Sequence, residues 1–167
     1  MGSRLAKEYV QTAKTLRNDP AFSHVLALAP VSDDVLNKWE ATIEGPPQTA
    51  YYGYQFKLQI EVDQNYPIKP PWICFEPQTV PHCNVDYDSG RICLNLLDAD
   101  HWSPAWDLLH SINAIWQLLA NPEPDSPLDI DLACLFRTKD YCAHDSLVRY
   151  YLNGGSRGST GPIRGTR

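Results

Sequence analysis

The chain has 167 residues, 43% of them apolar and 20% charged, which predicts one globular domain rather than a disordered chain. Fourteen Lys and Arg against twenty Asp and Glu leave a net charge of −6, the wrong sign for a nucleic-acid or anionic-membrane surface. The longest apolar stretches, such as Val25 to Val31, fall far short of the roughly 20 residues that span a bilayer, and no charged-then-apolar leader opens the sequence. A soluble intracellular protein without direct membrane insertion is expected.

In chain order, Leu5, Tyr9, Val10, Ala13 and Leu16 recur at helical spacing and predict a first helix over about Arg4 to Arg17. Trp39, Ala41 and Ile43 alternate with Lys38, Glu40, Thr42 and Glu44, the period of a half-buried strand. From Tyr54 to Val62 the alternation is cleaner: Tyr54, Phe56, Leu58, Ile60 and Val62 face one way, and Gln55, Lys57, Gln59 and Glu61 the other. The Gly45-Pro46-Pro47 stretch and the loop through Tyr51-Tyr52-Gly53 connect these two strands. A shorter strand is predicted over Trp72 to Phe75, and residues 78–101 show no periodicity. Trp106, Leu109, Ile112, Ile115, Trp116 and Leu119 then describe one apolar helical stripe that Pro122 and Pro124 end. Two shorter helices follow, over Asp129 to Phe136 and Asp140 to Leu152. Strands grouped before helices predict an α+β domain over 4–152. Residues 153–167 hold five of the nine glycines and few apolar groups, so a flexible Gly/Ser/Arg tail is expected.

The five cysteines, Cys74, Cys83, Cys93, Cys134 and Cys142, are odd in number and contain no C-x-x-C pair. That argues against a zinc site and against a full disulfide framework, so neither a metal nor another cofactor is predicted. A structureless stretch of some 20 residues inside a compact domain is usually functional. This one carries His82-Cys83-Asn84, Cys93 and Asn95, then Trp102-Ser103-Pro104. A nucleophilic thiol and an amide able to donate to an oxyanion suggest acyl transfer through a thioester, with Cys93 as nucleophile and Asn84 as donor or loop tie. His82 groups with them, its role read as tying the loop to backbone. Disulfide pairing of Cys83 with Cys134 or Cys142 is left open.

Trp39 with Gly45-Pro46, Tyr66-Pro67-x-x-Pro70-Pro71, His82-x-Asn84, Gly90-x-Ile92-Cys93-Leu94-Asn95, Trp102-Ser103-Pro104 and Asp125-Ser126-Pro127-Leu128 occur in an order and spacing that resemble the ubiquitin-conjugating enzyme family. The resemblance covers about Arg4 to Leu152. It implies an N-terminal helix, a four-stranded antiparallel meander, a long active-site loop and C-terminal helices. It also implies that Cys93 accepts ubiquitin as a thioester from an activating enzyme and passes it on with a RING ligase. Family positions for ligase and activating-enzyme contacts fall on Arg4, Lys7, Ile68, Ser103, Pro104 and Ala105. Cys83 in place of the usual proline, Cys-Leu-Asn at the active site and Trp106-Asp107-Leu108-Leu109-His110 resemble the peroxisomal members. That narrower likeness implies a peroxisomal-membrane RING ligase and, as substrate, the import receptor, ubiquitinated on a cysteine for its export and recycling. It also implies a membrane-anchored peroxin that holds a cytoplasmic enzyme on the cytosolic face of the peroxisome. Tyr150 and Tyr151 on the last helix are the candidate residues for that partner, one of them expected to face outward.

Departures from the family pattern bear on the acceptor. Ser126 stands where the family often has an acidic residue, and a lysine with a pKa near 10.4 would miss that carboxylate more than a thiol would. The segment between Cys93 and Trp102 is one residue longer than in common members and carries Asp98, Asp100 and His101. Asn95, Ser126, Asp98 and Asp100 are therefore the acceptor-positioning candidates. The alternatives weighed are an inactive ubiquitin-binding scaffold, disfavoured by the presence of Cys93, and a conjugating enzyme for another ubiquitin-like modifier.

Overall fold

The computed structural model describes residues 2–32 and 34–155. Helix α1 (Gly2–Asn18) is followed by four strands, β1 (Val25–Ser32), β2 (Val35–Glu44), β3 (Gln55–Glu61) and β4 (Trp72–Phe75), and then by helices α2 (Leu108–Ala120), α3 (Ile130–Arg137) and α4 (Tyr141–Leu152). The strands form one antiparallel sheet in the order β1-β2-β3-β4. This is the α+β meander that the sequence and its resemblance imply.

The strand faces follow the period of two. In β3, Phe56, Leu58 and Ile60 are buried while Gln55, Lys57, Gln59 and Glu61 are exposed. Trp39, Ala41 and Ile43 of β2 line the same inner face through the register Ala41↔Leu58 and Ile43↔Phe56. Leu108, Leu109, Ile112, Ile115, Leu118 and Leu119 of α2 join them in one core. Burying a large aliphatic side chain is worth roughly 1.5–3 kcal/mol, so this layer dominates the favourable side of folding.

Several details differ from expectation for physical reasons. β1 lacks clean alternation because its register shifts between Val25 and Ala27 and again between Pro30 and Ser32, and such irregularities move side chains between faces. Helix α2 starts at Leu108, after Trp106, because the Asp107 carboxylate accepts from the His110 N–H and caps it. Asp129 and Asp140 cap α3 and α4 in the same way and so stand just outside them. The buried face of α1 is also rotated from the apolar stripe: Val10 is 69% exposed, whereas Leu5, Glu8 and Thr12 are buried.

The region 78–101 is mostly irregular, with single bridges at Cys74↔Arg91 and Val85↔Ile92 and one 3-10 turn at Asn95–Leu97. After α4, Asn153, Gly154 and Gly155 bond back to Arg149, Tyr151 and Tyr150, which closes the helix. The rest of the expected tail lies outside the described residues. No described helix is long and apolar enough to cross a membrane.

Candidate active site

The loop that follows β4 folds back on the sheet at one constrained residue. Gly90 sits at φ +73°, and a Cβ there would run into the Phe75 carbonyl. Only glycine takes this conformation at no steric cost. Phe75 N–H donates to Gly90 C=O (2.9 Å), and the adjacent Val85↔Ile92 bridge sets Cys93 beside Asn84, with Cys93 N–H donating to Asn84 C=O (2.8 Å). The Cys93 thiol is free and half-exposed; Cys74 and Cys83 are buried, and Cys134 and Cys142 are exposed free thiols. Cys83 therefore forms no disulfide in this structure.

Asn84 is fully buried, and every hydrogen-bonding capacity of its amide is used. Its Nδ2 donates to Glu123 C=O (2.7 Å) and Ser126 C=O (3.2 Å), while its Oδ1 accepts from Glu123 N–H (2.8 Å) and from Cys83 Sγ (3.2 Å). The Cys83 carbonyl accepts from Leu128 and Asp129 N–H. These bonds stitch segment 123–129 to the strand-like piece beside Cys93. Of the two roles open to Asn84, the loop tie is the one its side chain makes here. Burial pushes the Cys83 thiol up to about 11, so it stays protonated as the donor to Asn84.

His82 is likewise fully buried, and its Nδ1 accepts from Asn84 N–H (3.0 Å), which assigns the ring proton to Nε2. Burial, helped by nearby His144 and opposed by the Leu118 backbone, lowers its pKa to about 3. The ring is neutral with its lone pair occupied. The bond from Asn84 N–H ties His82 to the backbone of the loop, the role that its place in the sequence suggested.

The acceptor-positioning candidates lie on two segments, the one that follows Cys93 and the one that carries Ser126. Asn95 opens the 3-10 turn two residues after Cys93, and its carbonyl accepts from Asp98 N–H. Asp98 and Asp100 are exposed, and the Asp98 carbonyl accepts from His101 and Trp102 N–H. Ser126 is exposed and reaches the site through its carbonyl bond to Asn84. Arg137 of α3 donates to the Pro124 carbonyl (2.6 Å) and holds this segment from its far side.

A second cluster brings α1 to two distant turns. Arg4 donates to Glu8 (2.6 Å) and reaches the carbonyls of Trp106 (3.3 Å) and Pro104 (3.5 Å). Trp102 Nε1 donates to Pro67 C=O (2.7 Å), joining the turn that carries Ile68 to the one that carries Ser103, Pro104 and Ala105. Lys7, Ile68, Pro104 and Ala105 are exposed on this cluster and Ser103 is half-buried, with Ile68 at 76%. At the end of α4, Tyr150 is 55% exposed and Tyr151 packs against Tyr87, ring centroids 5.8 Å apart.

Sequence reading named Tyr66 only as part of the Tyr66-Pro67 landmark and missed Glu8, Glu123 and Arg137. Glu8 carried a usable mark, a carboxylate at helical spacing between Leu5 and Thr12; the others are recognisable only through their partners. Among the described residues, no three His, Cys, Asp or Glu are grouped to hold a metal ion.

The family profile described as ubiquitin-conjugating enzyme matches residues 4–152. The chain is 43% identical over 155 residues to the ubiquitin-conjugating enzyme E2-21 kDa of Saccharomyces cerevisiae, covering 90% of this chain and 85% of that protein. It is 38% identical over 149 residues to Protein PEROXIN-4 of Arabidopsis thaliana, covering 89% and 90%. A solved structure of the H. polymorpha ubiquitin conjugating enzyme Pex4p, in complex with the soluble domain of Pex22p, superimposes with a TM-score of 0.85 at 37% identity, covering 91% of this chain and 96% of that one.

Proposed function

The chain belongs to the ubiquitin-conjugating enzyme family, and from that premise we propose that Cys93 carries ubiquitin as a thioester in the manner of peroxin-4 enzymes. The observation that carries this reading is the half-exposed free thiol of Cys93, held beside Asn84 by a backbone hydrogen bond. In charging, the Cys93 thiolate attacks the carbonyl of the thioester between ubiquitin and the activating enzyme. A new C–S bond forms, the old one breaks, and the activating enzyme's thiolate leaves. In transfer, the acceptor attacks the Cys93 thioester and Cys93 leaves as thiolate. The tetrahedral oxyanion of each step needs a donor. Asn84 can become one by releasing its longer bond, to the Ser126 carbonyl, while Glu123 continues to hold the amide.

Asn95, Asp98, Asp100 and Ser126 border the path of the incoming acceptor. With a serine at 126, acceptors that ionise readily are favoured, which fits a cysteine of the peroxisomal import receptor as target. The RING ligase and the activating enzyme dock on the surface made by Lys7, Ile68, Ser103, Pro104 and Ala105, with Arg4 beneath. A membrane-anchored partner resembling Pex22p binds near Tyr150 and Tyr151 and holds the enzyme at the cytosolic face of the peroxisome. An exposed tyrosine on a helix end is a favoured interface anchor.

The test is a charging assay with activating enzyme, ATP and ubiquitin, resolved with and without reductant. A reductant-sensitive adduct absent from Cys93→Ala is expected. No adduct under conditions that charge a control enzyme would refute ubiquitin as the modifier, and repeating the assay with other ubiquitin-like proteins would identify the true one.

A further inference from the structure

We propose that Glu8 is the positioning residue of the docking surface: its buried carboxylate fixes α1, the turn at 63–70 and the segment 102–108 relative to one another, so that the activating enzyme and the ligase meet a preformed shape. This rests on the reading that Lys7, Ile68 and 103–105 form that surface.

Glu8 is 7% exposed and is engaged from three separate parts of the chain. Oε1 accepts from Arg4 Nε (2.6 Å) and from the Tyr66 hydroxyl (2.9 Å). Oε2 accepts from the same hydroxyl (2.9 Å) and from Leu108 N–H (3.2 Å). Tyr66 and Leu108 are themselves buried, so without Glu8 a hydroxyl and a helix-terminal N–H would lose their partner away from water. The carboxylate also stands at the N-terminus of α2, where the helix dipole favours negative charge. Burial and the Glu8 charge both keep the Tyr66 hydroxyl protonated as a donor.

The geometry divides the labour between two cations. Arg4 commits its guanidinium to Glu8 and to the Pro104 and Trp106 carbonyls, so its part is to brace the 103–106 turn from below. Lys7 is exposed on the neighbouring turn of α1 and is the cation offered outward. Trp102, through Pro67, closes the third side of the frame. Ile68 therefore projects from a turn tied to both of its neighbours, and its docking shape is set before a partner arrives.

The experiment compares the full chain with Glu8→Gln, Tyr66→Phe and the double variant. Glu8→Gln keeps the size of the side chain and loses its charge. In Glu8→Gln the KM for activating enzyme in the charging reaction should rise about fivefold, the factor that one hydrogen bond of ordinary strength brings. Discharge of the preformed thioester to free cysteine without ligase should keep its wild-type rate. Hydrogen exchange should quicken at Leu108 and in segments 66–69 and 103–107. Because both substitutions act on one cluster, the double variant should fall short of the product of the single effects. An unchanged KM, or charging and ligase-free discharge falling together, would overturn the proposal. If wild type fails to charge at all, the functional reading fails. Hydrogen exchange then decides on Glu8 alone: quickened exchange at Leu108 and in both segments upholds its positioning role, and unchanged exchange overturns it.

Discussion

The neutral, buried His82 makes stability depend on pH in a direction and amount that can be worked out. Its folded pKa is about 3, lowered first by burial and then by His144, against about 6.5 for an unfolded histidine. Below pH 6.5 the unfolded chain binds a proton that the folded protein does not, so stability is fully present above that value and falls as pH falls. Between pH 7 and pH 5 the loss from this one group is about 2 kcal/mol. That figure holds for any folded pKa well below 5, because the native ring is neutral throughout the interval. Below it the loss continues at about 1.4 kcal/mol per pH unit until the folded pKa is reached. The consequence reaches the loop beside Cys93, because protonation would turn Nδ1 from the acceptor of the Asn84 N–H into a second donor facing it. The assay is urea unfolding followed by tryptophan fluorescence at pH 7 and pH 5, for wild type and His82→Asn, which keeps an acceptor near the place of Nδ1. The variant starts from lower stability, but its loss on going to pH 5 should be about 2 kcal/mol smaller than that of wild type. His24, also lowered by burial, contributes with the same sign in both proteins and cancels in the difference. Equal losses in the two proteins would refute the reasoning.

Gly90→Ala should destabilise the fold by about 2 kcal/mol or more, since a left-handed φ for a residue with a Cβ and a collision with the Phe75 carbonyl act together; thermal melting should fall by roughly 4–8 °C or more for a domain of this size. Asn84→Ala leaves the Glu123 N–H and two carbonyls without their partner and should cost about 2–4 kcal/mol. Asn84→Asp should cost at least as much, because it sets a carboxylate against the Glu123 and Ser126 carbonyls; urea midpoints of the two variants give the comparison, and a smaller loss for the aspartate would contradict the role of Nδ2 as donor to those carbonyls. Tyr150→Ala removes an exposed ring, so its melting temperature and Cys93 charging should match wild type while binding to a Pex22p-like soluble domain weakens about tenfold or more; calorimetry showing equal affinity would move the partner site elsewhere.

What could be read from the sequence divides along the range of the interactions involved. The strand β3 was legible because its alternation is local, and α2 because six apolar residues keep one helical face. The helix starts were open to reading as well, since Asp107, Asp129 and Asp140 each accept from an N–H three residues on. β1 was obscured by two register shifts that only its pairing with β2 reveals. Cys93 stood out because nucleophilic acyl transfer restricts the candidate residue types, whereas the hydrogen bonds of Asn84 depend on where a segment about 40 residues later passes. Glu8 is the extreme case. Its spacing placed a carboxylate on the buried side of α1, but its partners lie 58 and 100 residues away. The apolar pattern therefore favoured Tyr9 and Val10 as the inner face, although Val10 is mostly exposed. The hydrophobic pattern alone would turn α1 toward Val10. A buried carboxylate that pairs with Arg4, Tyr66 and Leu108 instead fixes the rotation of the helix, and with it the side of α1 from which Lys7 is presented.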